Sequence, residues 1–288
     1  MSRMRKIAFF NIKGGTGKTL VTGSTARALC RMGFKVGIHD IDVTGPKLPT
    51  FLGIPEPFPP VQVDIETNKM YPFKFEGMEV FSEAFCFKGP VMWHGGDQVV
   101  KAFGHEIELK GTGLYSRVVQ ALKAVEFSPD LDYLLYDLPP TSSDLTLSLF
   151  ENLTDIYATI LVCQPTSQAL SDMGRAVGML KKKKVPILGM VSNMGEAVCP
   201  HCHQSYYPFN DEPADLELFC YGEGIPFLVS VPFTPDKSLL NTAFDKLAEL
   251  VVTRKPVEIW KHTFKENLEQ GLLKTMTLTA ARKVAKEG

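Results

Sequence analysis

The stretch from Phe9 to Val21, FFNIKGGTGKTLV, contains the residue types that bind a chain of phosphates. Its glycines let the backbone turn its N–H groups towards an anion, and the helix expected to begin at Thr19 adds a favourable dipole. Lys18 would contact the terminal phosphates, and the Thr19 hydroxyl would bind Mg²⁺. We therefore predict a nucleotide site made by Gly14, Gly15, Thr16, Gly17, Lys18 and Thr19.

A phosphoryl-transfer site also needs carboxylates, which hold Mg²⁺ and orient the attacking water. Asp40 and Asp42 follow one predicted strand, and Asp137 ends another. In a parallel sheet the carboxyl ends of the strands face one crevice. We predict that Asp42 orients the water and that Asp40 and Asp137 support Mg²⁺ through its water shell. Strand-end aspartates are also common as helix caps and turn formers, so that alternative stays open for each.

A third chemical feature is the sequence Cys199-Pro-His-Cys202-His203. Two thiolates on one turn can bind a metal ion or a cluster, but four protein ligands normally close such a site. The chain has no second CxxC, so two copies related by a two-fold axis would supply the four thiolates. The alternatives are a zinc site that includes a flanking histidine, a thioredoxin-like redox pair, and a c-type haem site.

The elements that must position these residues alternate along the chain. Apolar runs predict strands at Lys6–Ile12, Lys35–Asp40, Met78–Ser82, Asp132–Asp137, Tyr157–Cys163, Ile187–Asn193 and Phe227–Val231. Helical patterns cover Thr19–Met32, Leu114–Val125, Ser167–Lys182 and Lys237–Thr253. Continuous Val/Ile/Leu strands separated by helices predict an α/β fold, a mostly parallel sheet with helices on both faces.

Composition limits the class of protein and its partners. Lys+Arg 31 against Asp+Glu 32 leaves no basic excess, so nucleic acid is not expected as a partner. No apolar run approaches the about 20 residues that span a bilayer, and no signal peptide is recognised, so we expect a cytoplasmic protein without a membrane partner. We predict one domain over residues 1–256, with an excursion near 194–226, and a helical tail over 257–288 that has an apolar residue at every fourth position from Trp260.

The sequence K-G-G-T-G-K-T resembles the deviant Walker A motif of the MinD/ParA/nitrogenase-iron-protein branch of P-loop ATPases. In that branch an early lysine reaches the nucleotide of the partner subunit. The resemblance therefore implies that Lys13 acts in trans, as an arginine finger does; a solvated loop lysine is the alternative. Asn193, Pro232 and Asp236 resemble the adenine-side contacts of the branch, although a turn-forming role for Asn193 stays open.

An ordered set of motifs narrows the resemblance to the Mrp/ApbC family of iron–sulfur carrier ATPases. The set is KGGTGKT, DxDxxGP at 40–46, VMWHG at 91–95, DYLLYDLPP at 132–140, QPTSQALSD at 164–172 and NMGEAVCPHC at 193–202. The resemblance implies ATP hydrolysis with Mg²⁺, a homodimer whose Cys199 and Cys202 pairs bridge a [4Fe–4S] cluster, and apo-proteins as recipients. This chain departs from the family in having PPTSSD where PPGTGD is usual, although Asp144 is kept. A MinD/ParA-like positioning ATPase and a zinc-binding metallochaperone or nucleotide switch are the alternative functions.

Overall fold

The computed structural model describes residues 4–42, 45–64, 66–86, 92–94, 97–102, 105–109, 119, 122–140, 149–153, 155–199, 201–202, 204–208 and 214–261. The strands are β1 (Arg5–Phe10), β2 (Val36–Asp40), β3 (Gln62–Asp64), β4 (Lys69–Tyr71), β5 (Phe73–Phe75), β6 (Met78–Ser82), β7 (Met92–His94), β8 (Asp97–Ala102), β9 (His105–Leu109), β10 (Tyr133–Asp137), β11 (Ile156–Cys163), β12 (Ile187–Ser192), β13 (Ala197–Val198), β14 (Ser205–Tyr206) and β15 (Phe227–Ser230). The helices are α1 (Lys18–Arg31), α2 (Leu48–Leu52), α3 (Ser167–Lys183), α4 (Leu216–Glu223) and α5 (Lys237–Thr253). None of the helices in these residues is both long enough and apolar enough to cross a membrane.

Eight strands form the central sheet in the order β15–β12–β11–β1–β10–β2–β6–β5. All neighbours are parallel except β5 and β6, which are antiparallel. Strand β1 lies between β10 and β11, so the connections diverge to the two sides of this strand. Open parallel sheets bind ligands outside the carboxyl ends of their strands at such a point. The loop that follows β1 lies there.

Helices pack on both faces of the sheet, and the central strands are buried on both sides. Residues of α1 and α5 share one apolar core with alternate residues of β1, among them Val21, Leu29, Phe244 and Leu247. Residues of α3 and α4 share the opposite core with the other residues of β1, among them Met173, Leu180, Leu216 and Cys220. Burial on both faces explains why the strands read as continuous apolar runs rather than as an alternating pattern.

The predicted α/β fold with a mostly parallel sheet is confirmed. The bounds of β6 and α5 are the predicted ones at both ends. The other predicted sheet strands begin and end within two residues of their predicted bounds. Strand β12 ends at Ser192, one residue before the predicted end. Most of the predicted helix over Leu114–Val125 lies outside the described residues. Strands β3–β5 and β7–β9 were not predicted, because most of them are too short to show a clear period.

The excursion near 194–226 contains the hairpin β13–β14 and helix α4, which the sequence analysis missed. Asp215 caps α4 by accepting a hydrogen bond from the Leu218 N–H at 2.9 Å, and Gly224 ends the helix with a φ of +70°. These are ordinary helix start and stop signals. At the predicted tail boundary, Val257 and Ile187 exchange two backbone hydrogen bonds of 3.0 and 2.7 Å. The rest of the predicted tail, beyond residue 261, lies outside the described residues.

Candidate functional site

The loop between β1 and α1 has backbone angles that favour glycine. Gly15 and Gly17 have φ values of +79° and +81°, in the left-handed region that other residues rarely adopt. Helix α1 begins directly after Gly17, and its first turn contains no acidic residue to neutralise its positive end. Gly14 lies against Pro140, since an added Cβ would be 3.6 Å from the proline Cβ. Main-chain N–H groups of the loop and the helix start are therefore available to an anion.

Two polar side chains of this loop are buried without the partners that a bound phosphate would supply. Lys18 is 7% exposed, and burial lowers the pKa of its ammonium despite the nearby carboxylates of Asp137, Asp42 and Asp40. The Thr16 side chain is fully buried, and its Oγ1 has no hydrogen-bond partner among the described residues. Such a buried polar atom is costly unless something binds it. A triphosphate with its oxygen acceptors and negative charge fits both residues.

Asp40 and Asp137 are buried side by side at the ends of β2 and β10, where they are register partners. Burial raises the pKa of Asp137 to about 6, although hydrogen bonds from Thr19 and Thr22 oppose the shift. Burial, followed by the charge of Asp137, raises the pKa of Asp40 well above its usual range. Asp40 accepts hydrogen bonds from the Ser82 hydroxyl at 2.9 Å and from the Leu48 and Asp42 N–H groups at 3.3 and 3.1 Å. Two buried carboxylates beside a threonine hydroxyl form a donor set suited to Mg²⁺.

The two residues predicted to act on the transferred phosphate lie nearer the surface. Asp42 is half-buried, and its Oδ1 accepts a hydrogen bond from the Gly45 N–H at 3.2 Å, so the turn after β2 orients the carboxylate. The Lys13 side chain is exposed. Its backbone N–H donates to Asn11 Oδ1 at 2.9 Å, while Asn11 Nδ2 donates to the Val162 carbonyl. Asn11 thereby ties the start of the loop to β11 and leaves the Lys13 side chain pointing away from the core.

Asn193 contacts the phosphate loop directly. It is 2% exposed, and its Nδ2 donates a 2.7 Å hydrogen bond to the Thr16 carbonyl. An added Cβ on Gly17 would be 2.1 Å from this nitrogen, so the two residues are in close contact. One of the two amide N–H donors of Asn193, which the resemblance places on the adenine side, is therefore bonded to the loop.

Pro232 and Asp236, the other predicted adenine-side residues, follow β15. Pro232 is half-buried and Asp236 is exposed. Asp236 Oδ1 accepts a hydrogen bond from the Ser238 N–H at 2.8 Å and caps α5. This is the capping role that strand-end aspartates commonly take. The structure brings Asn193 to the loop, whereas Asp236 lies at the start of α5 and bonds to that helix.

Cys199 and Cys202 lie on the hairpin formed by β13 and β14, residues 197–206, which we term the cysteine hairpin. Cys199 is half-buried and Cys202 is exposed. The Cys199 N–H donates to the Gln204 carbonyl at 3.0 Å, and hydrogen bonds from the backbone of Cys202 and His201 lower the pKa of the Cys199 thiol. Within the described ranges, no group of three or more His, Cys, Asp or Glu side chains is arranged to hold a metal ion. The described part of the chain therefore offers the two thiolates no such further ligands.

Four site residues were missed by the sequence analysis: Asn11, Thr22, Ser82 and Gln164. Gln164 Nε2 donates to the Gly15 carbonyl at 3.4 Å and contacts the Met194 sulfur at 3.0 Å. Ser82 could have been found, because it ends a correctly predicted strand beside the strand that ends at Asp40. Thr22 is indicated less clearly by the sequence, through its position one helical turn after Lys18 on the same face of α1. Nothing in the sequence indicates that Asn11 contacts Val162 or that Gln164 contacts Gly15, because these residues are far apart in the chain.

The central sheet and the glycine loop at its switch point define a P-loop NTPase of the branch with the deviant Walker A motif. The fold agrees with that of the septum site-determining protein MinD from Pyrococcus horikoshii, with a TM-score of 0.59 and 23% identity over 87% of this chain and 96% of that one. The identity is low enough that this likeness shows the fold alone.

A family model described as ParA, NUBPL iron-transfer P-loop NTPase, matches residues 3–269, and the chain belongs to that family. It is 34% identical to the cytosolic Fe–S cluster assembly factor CFD1 of Saccharomyces cerevisiae over 77% of this chain and 72% of that protein. It is 30% identical to the iron–sulfur cluster carrier protein of Aquifex aeolicus over 88% of this chain. The chain covers 64% of the length of the Aquifex protein. The predicted membership of an iron–sulfur carrier family is confirmed.

Proposed function

We propose that this chain hydrolyses ATP and carries a [4Fe–4S] cluster as a homodimer that delivers the cluster to apo-proteins. The observation that carries the proposal is the pair of a half-buried Cys199 and an exposed Cys202 on a hairpin of a P-loop NTPase body. A thiol pair at the surface can bind a cluster and also release it to another protein. The names of the related proteins, a cluster carrier and a cytosolic assembly factor, support this function and a cytoplasmic setting.

The phosphate loop would bind the nucleotide. The loop N–H groups and Lys18 would contact the phosphates, and Thr16 Oγ1 would gain the partner that it lacks among the described residues. Mg²⁺, bound by Thr19 and supported by Asp40 and Asp137, would neutralise charge that builds up on the phosphates. Its positive charge would also offset the cost of burying the two carboxylates, whose pKa values are raised in its absence.

Hydrolysis would proceed by attack of water on the γ-phosphorus, with cleavage of the bond to the bridging oxygen and release of ADP and phosphate. Asp42, held by the turn after β2, would orient the attacking water. Lys13 is exposed and so can contact the nucleotide of a second copy, where its charge would stabilise the transition state. Hydrolysis would then be slow in the monomer and would depend on dimerisation.

Dimerisation would also complete the cluster site. The cluster is the cargo of the reaction, and a [4Fe–4S] cluster commonly takes four thiolates. Cys199 and Cys202 from each of two copies supply that number, and a two-fold axis through the cluster makes the two pairs equivalent. The homodimer would hold the cluster at its surface, where an apo-protein with free cysteines can accept it by ligand exchange.

The test is the metal content of anaerobically purified full-length protein. We expect about four iron and four sulfide per dimer. The double variant Cys199→Ala/Cys202→Ala should lose both. Cys30→Ala is the matched control, because Cys30 is a half-buried thiol on α1 and should not affect the cluster. Zinc in place of iron after reconstitution with iron and sulfide would overturn the cluster assignment.

A further inference from the structure

A short piece of chain joins the phosphate loop to the cysteine hairpin. Residues 193–196, which we term the connecting segment, leave the carboxyl end of β12 and lead directly into β13. The first residue of the segment contacts the loop, and Cys199 follows β13. The two sites of the proposed function are therefore linked through very few backbone bonds.

Contacts hold the beginning of the connecting segment against the loop. Asn193 Nδ2 donates to the Thr16 carbonyl at 2.7 Å, and the backbone N–H of Asn193 donates to the Cys163 carbonyl at 2.7 Å. The next side chain, Met194, has its Cε 3.4 Å from the position of a Cβ on Gly17. A displacement of the Thr16 carbonyl would move the Asn193 amide with it, because a buried amide that loses its acceptor is costly.

The rest of the connecting segment is tied to the chain after β15 rather than to the sheet. The Gly195 N–H donates to the Val231 carbonyl at 3.3 Å, and the Phe233 N–H donates to the Glu196 carbonyl at 3.1 Å. Met194 has a φ of +55°, in the left-handed region that costs a residue with a side chain about 1 kcal/mol or more. The segment is thus held in a conformation that Met194 does not favour.

The structure also contains room for the segment to move. A cavity of about 370 Å³ lies beside it, lined on one side by Ser192, Gly195 and Glu196 and on the other by Tyr207 of the hairpin and residues of α4. A segment packed on all sides could change position only with the whole core. Because this one borders open volume, fewer contacts oppose its displacement than in a fully packed segment.

We propose that Asn193 is a positioning residue that couples the phosphate loop to the cysteine pair, so that bound nucleotide changes the exposure of the Cys199 and Cys202 thiols. A phosphate chain would draw the N–H groups of the loop towards it, and the Thr16 carbonyl on the same peptide path would move with them. The inference rests on the nucleotide binding of the proposed function but not on the identity of the metal.

The experiment measures alkylation of the full-length protein after removal of iron and zinc, so that it is independent of the cluster. Iodoacetamide rates at Cys199 and Cys202 are compared with and without saturating Mg-ADP and a non-hydrolysable ATP analogue, with Cys30 as an internal reference. We expect the nucleotide to change the wild-type rates at the pair by about fivefold or more, the lower range for coupled sites. In Asn193→Ala, saturated according to its own affinity, the change should fall below about twofold.

Two further variants make the result decisive. A variant with two glycines inserted between Gly195 and Glu196 should keep its affinity for nucleotide but lose the change in alkylation rate at the two thiols. This variant tests the coupling if Asn193→Ala fails to bind nucleotide. Asn11→Ala is the matched control, a buried asparagine that ties the same loop to β11 instead of the hairpin, and its thiol response should persist at saturation. A full response in the insertion variant, or none in the wild-type protein with nucleotide bound, overturns the coupling. Loss of iron binding alone would contradict the proposed function and leave this result standing.

Discussion

At the scale of single residues, the contact between the phosphate loop and Asn193 restricts which residue can occupy position 17. Gly17 has a φ of +81°, and any Cβ there would meet Asn193 Nδ2 at 2.1 Å. Gly17 therefore needs to be glycine for two independent reasons, the backbone angle and the approach of a buried amide. Lys18 supplies a positive charge to the loop and Thr16 supplies a hydroxyl group, and both side chains are buried.

We predict that Gly17→Ala destabilises the nucleotide-free protein by about 2 kcal/mol or more, from the left-handed backbone and the displaced amide. Denaturant unfolding without nucleotide measures this change. Gly14→Ala is the control, because its Cβ would make ordinary contact with Pro140 at 3.6 Å. Its cost should stay below about 1 kcal/mol. Equal costs for the two variants would show that the Asn193 contact does not restrict the loop.

At the scale of elements, β2 carries a buried histidine beside the candidate Mg²⁺ carboxylates. His39 is 2% exposed, and the rings of Phe81, Phe127 and Tyr136 lie 5.3, 5.7 and 5.9 Å from its own. Burial lowers the pKa of His39 to about 3, and its Nε2 has no hydrogen-bond partner in the described part of the chain. The strand thus holds a neutral imidazole in an aromatic layer.

This histidine should make the fold sensitive to acid. Since the folded pKa lies below the unfolded value, the unfolded chain binds the extra proton, and the contribution of His39 to stability is lost as the pH falls below about 6.5. We predict that His39→Phe reduces the loss of unfolding free energy between pH 7 and pH 5 by about 2 kcal/mol, measured without nucleotide or Mg²⁺. Both proteins keep Asp40 and Asp137, so the difference isolates His39. The control is replacement of the exposed His201, which should leave the pH dependence of the wild-type protein unchanged. The prediction is contradicted if the unfolding free energies of His39→Phe and the wild-type protein fall equally between pH 7 and pH 5.

Elements with strong local signals could be predicted from sequence, whereas pairings between distant residues could not. Strand β6 and helix α5 agree with the sequence at both ends, because a buried apolar run and a 3.6-residue period identify them. Helix α4 has the usual cap and stop residues, but it was not predicted because it lies within a polar, proline-containing segment. In the candidate site, motif residues such as Lys18 and Asp137 were identifiable. The Asn193–Thr16 hydrogen bond was not, because it spans 177 positions of the chain.

At the scale of the whole molecule, the proposed activity requires two copies. We predict that Lys13→Ala keeps its affinity for ATP but lowers kcat by at least about 100-fold, because the charge supplied in trans is lost. Lys18→Ala should instead lose nucleotide binding, since its ammonium is buried within the site. Steady-state ATPase assays and equilibrium binding separate the two effects.

A mixing experiment distinguishes action in trans from action in cis. Lys13→Ala supplies an intact Asp42, and Asp42→Asn supplies an intact Lys13, so each should be nearly inactive alone. A mixed dimer would contain one complete site, and the mixture should recover a substantial share of wild-type turnover. If mixing restores nothing although mixed dimers form, Lys13 does not act across the interface.

Strands β12 and β15 are parallel neighbours, so the segment that carries the cysteines leaves the sheet at the carboxyl end of β12 and crosses to the amino end of β15. Helix α4 lies within this crossover and packs into the core through Leu216 and Cys220, so the part that can change length at little entropic cost is the chain between β12 and α4. Under the proposed function, the residues that would hold the cargo can therefore vary during evolution, whereas Asn193 is constrained by its contact with the phosphate loop. A change of recipient protein would then require new residues on the cysteine hairpin and no change in the strands that position the phosphate loop.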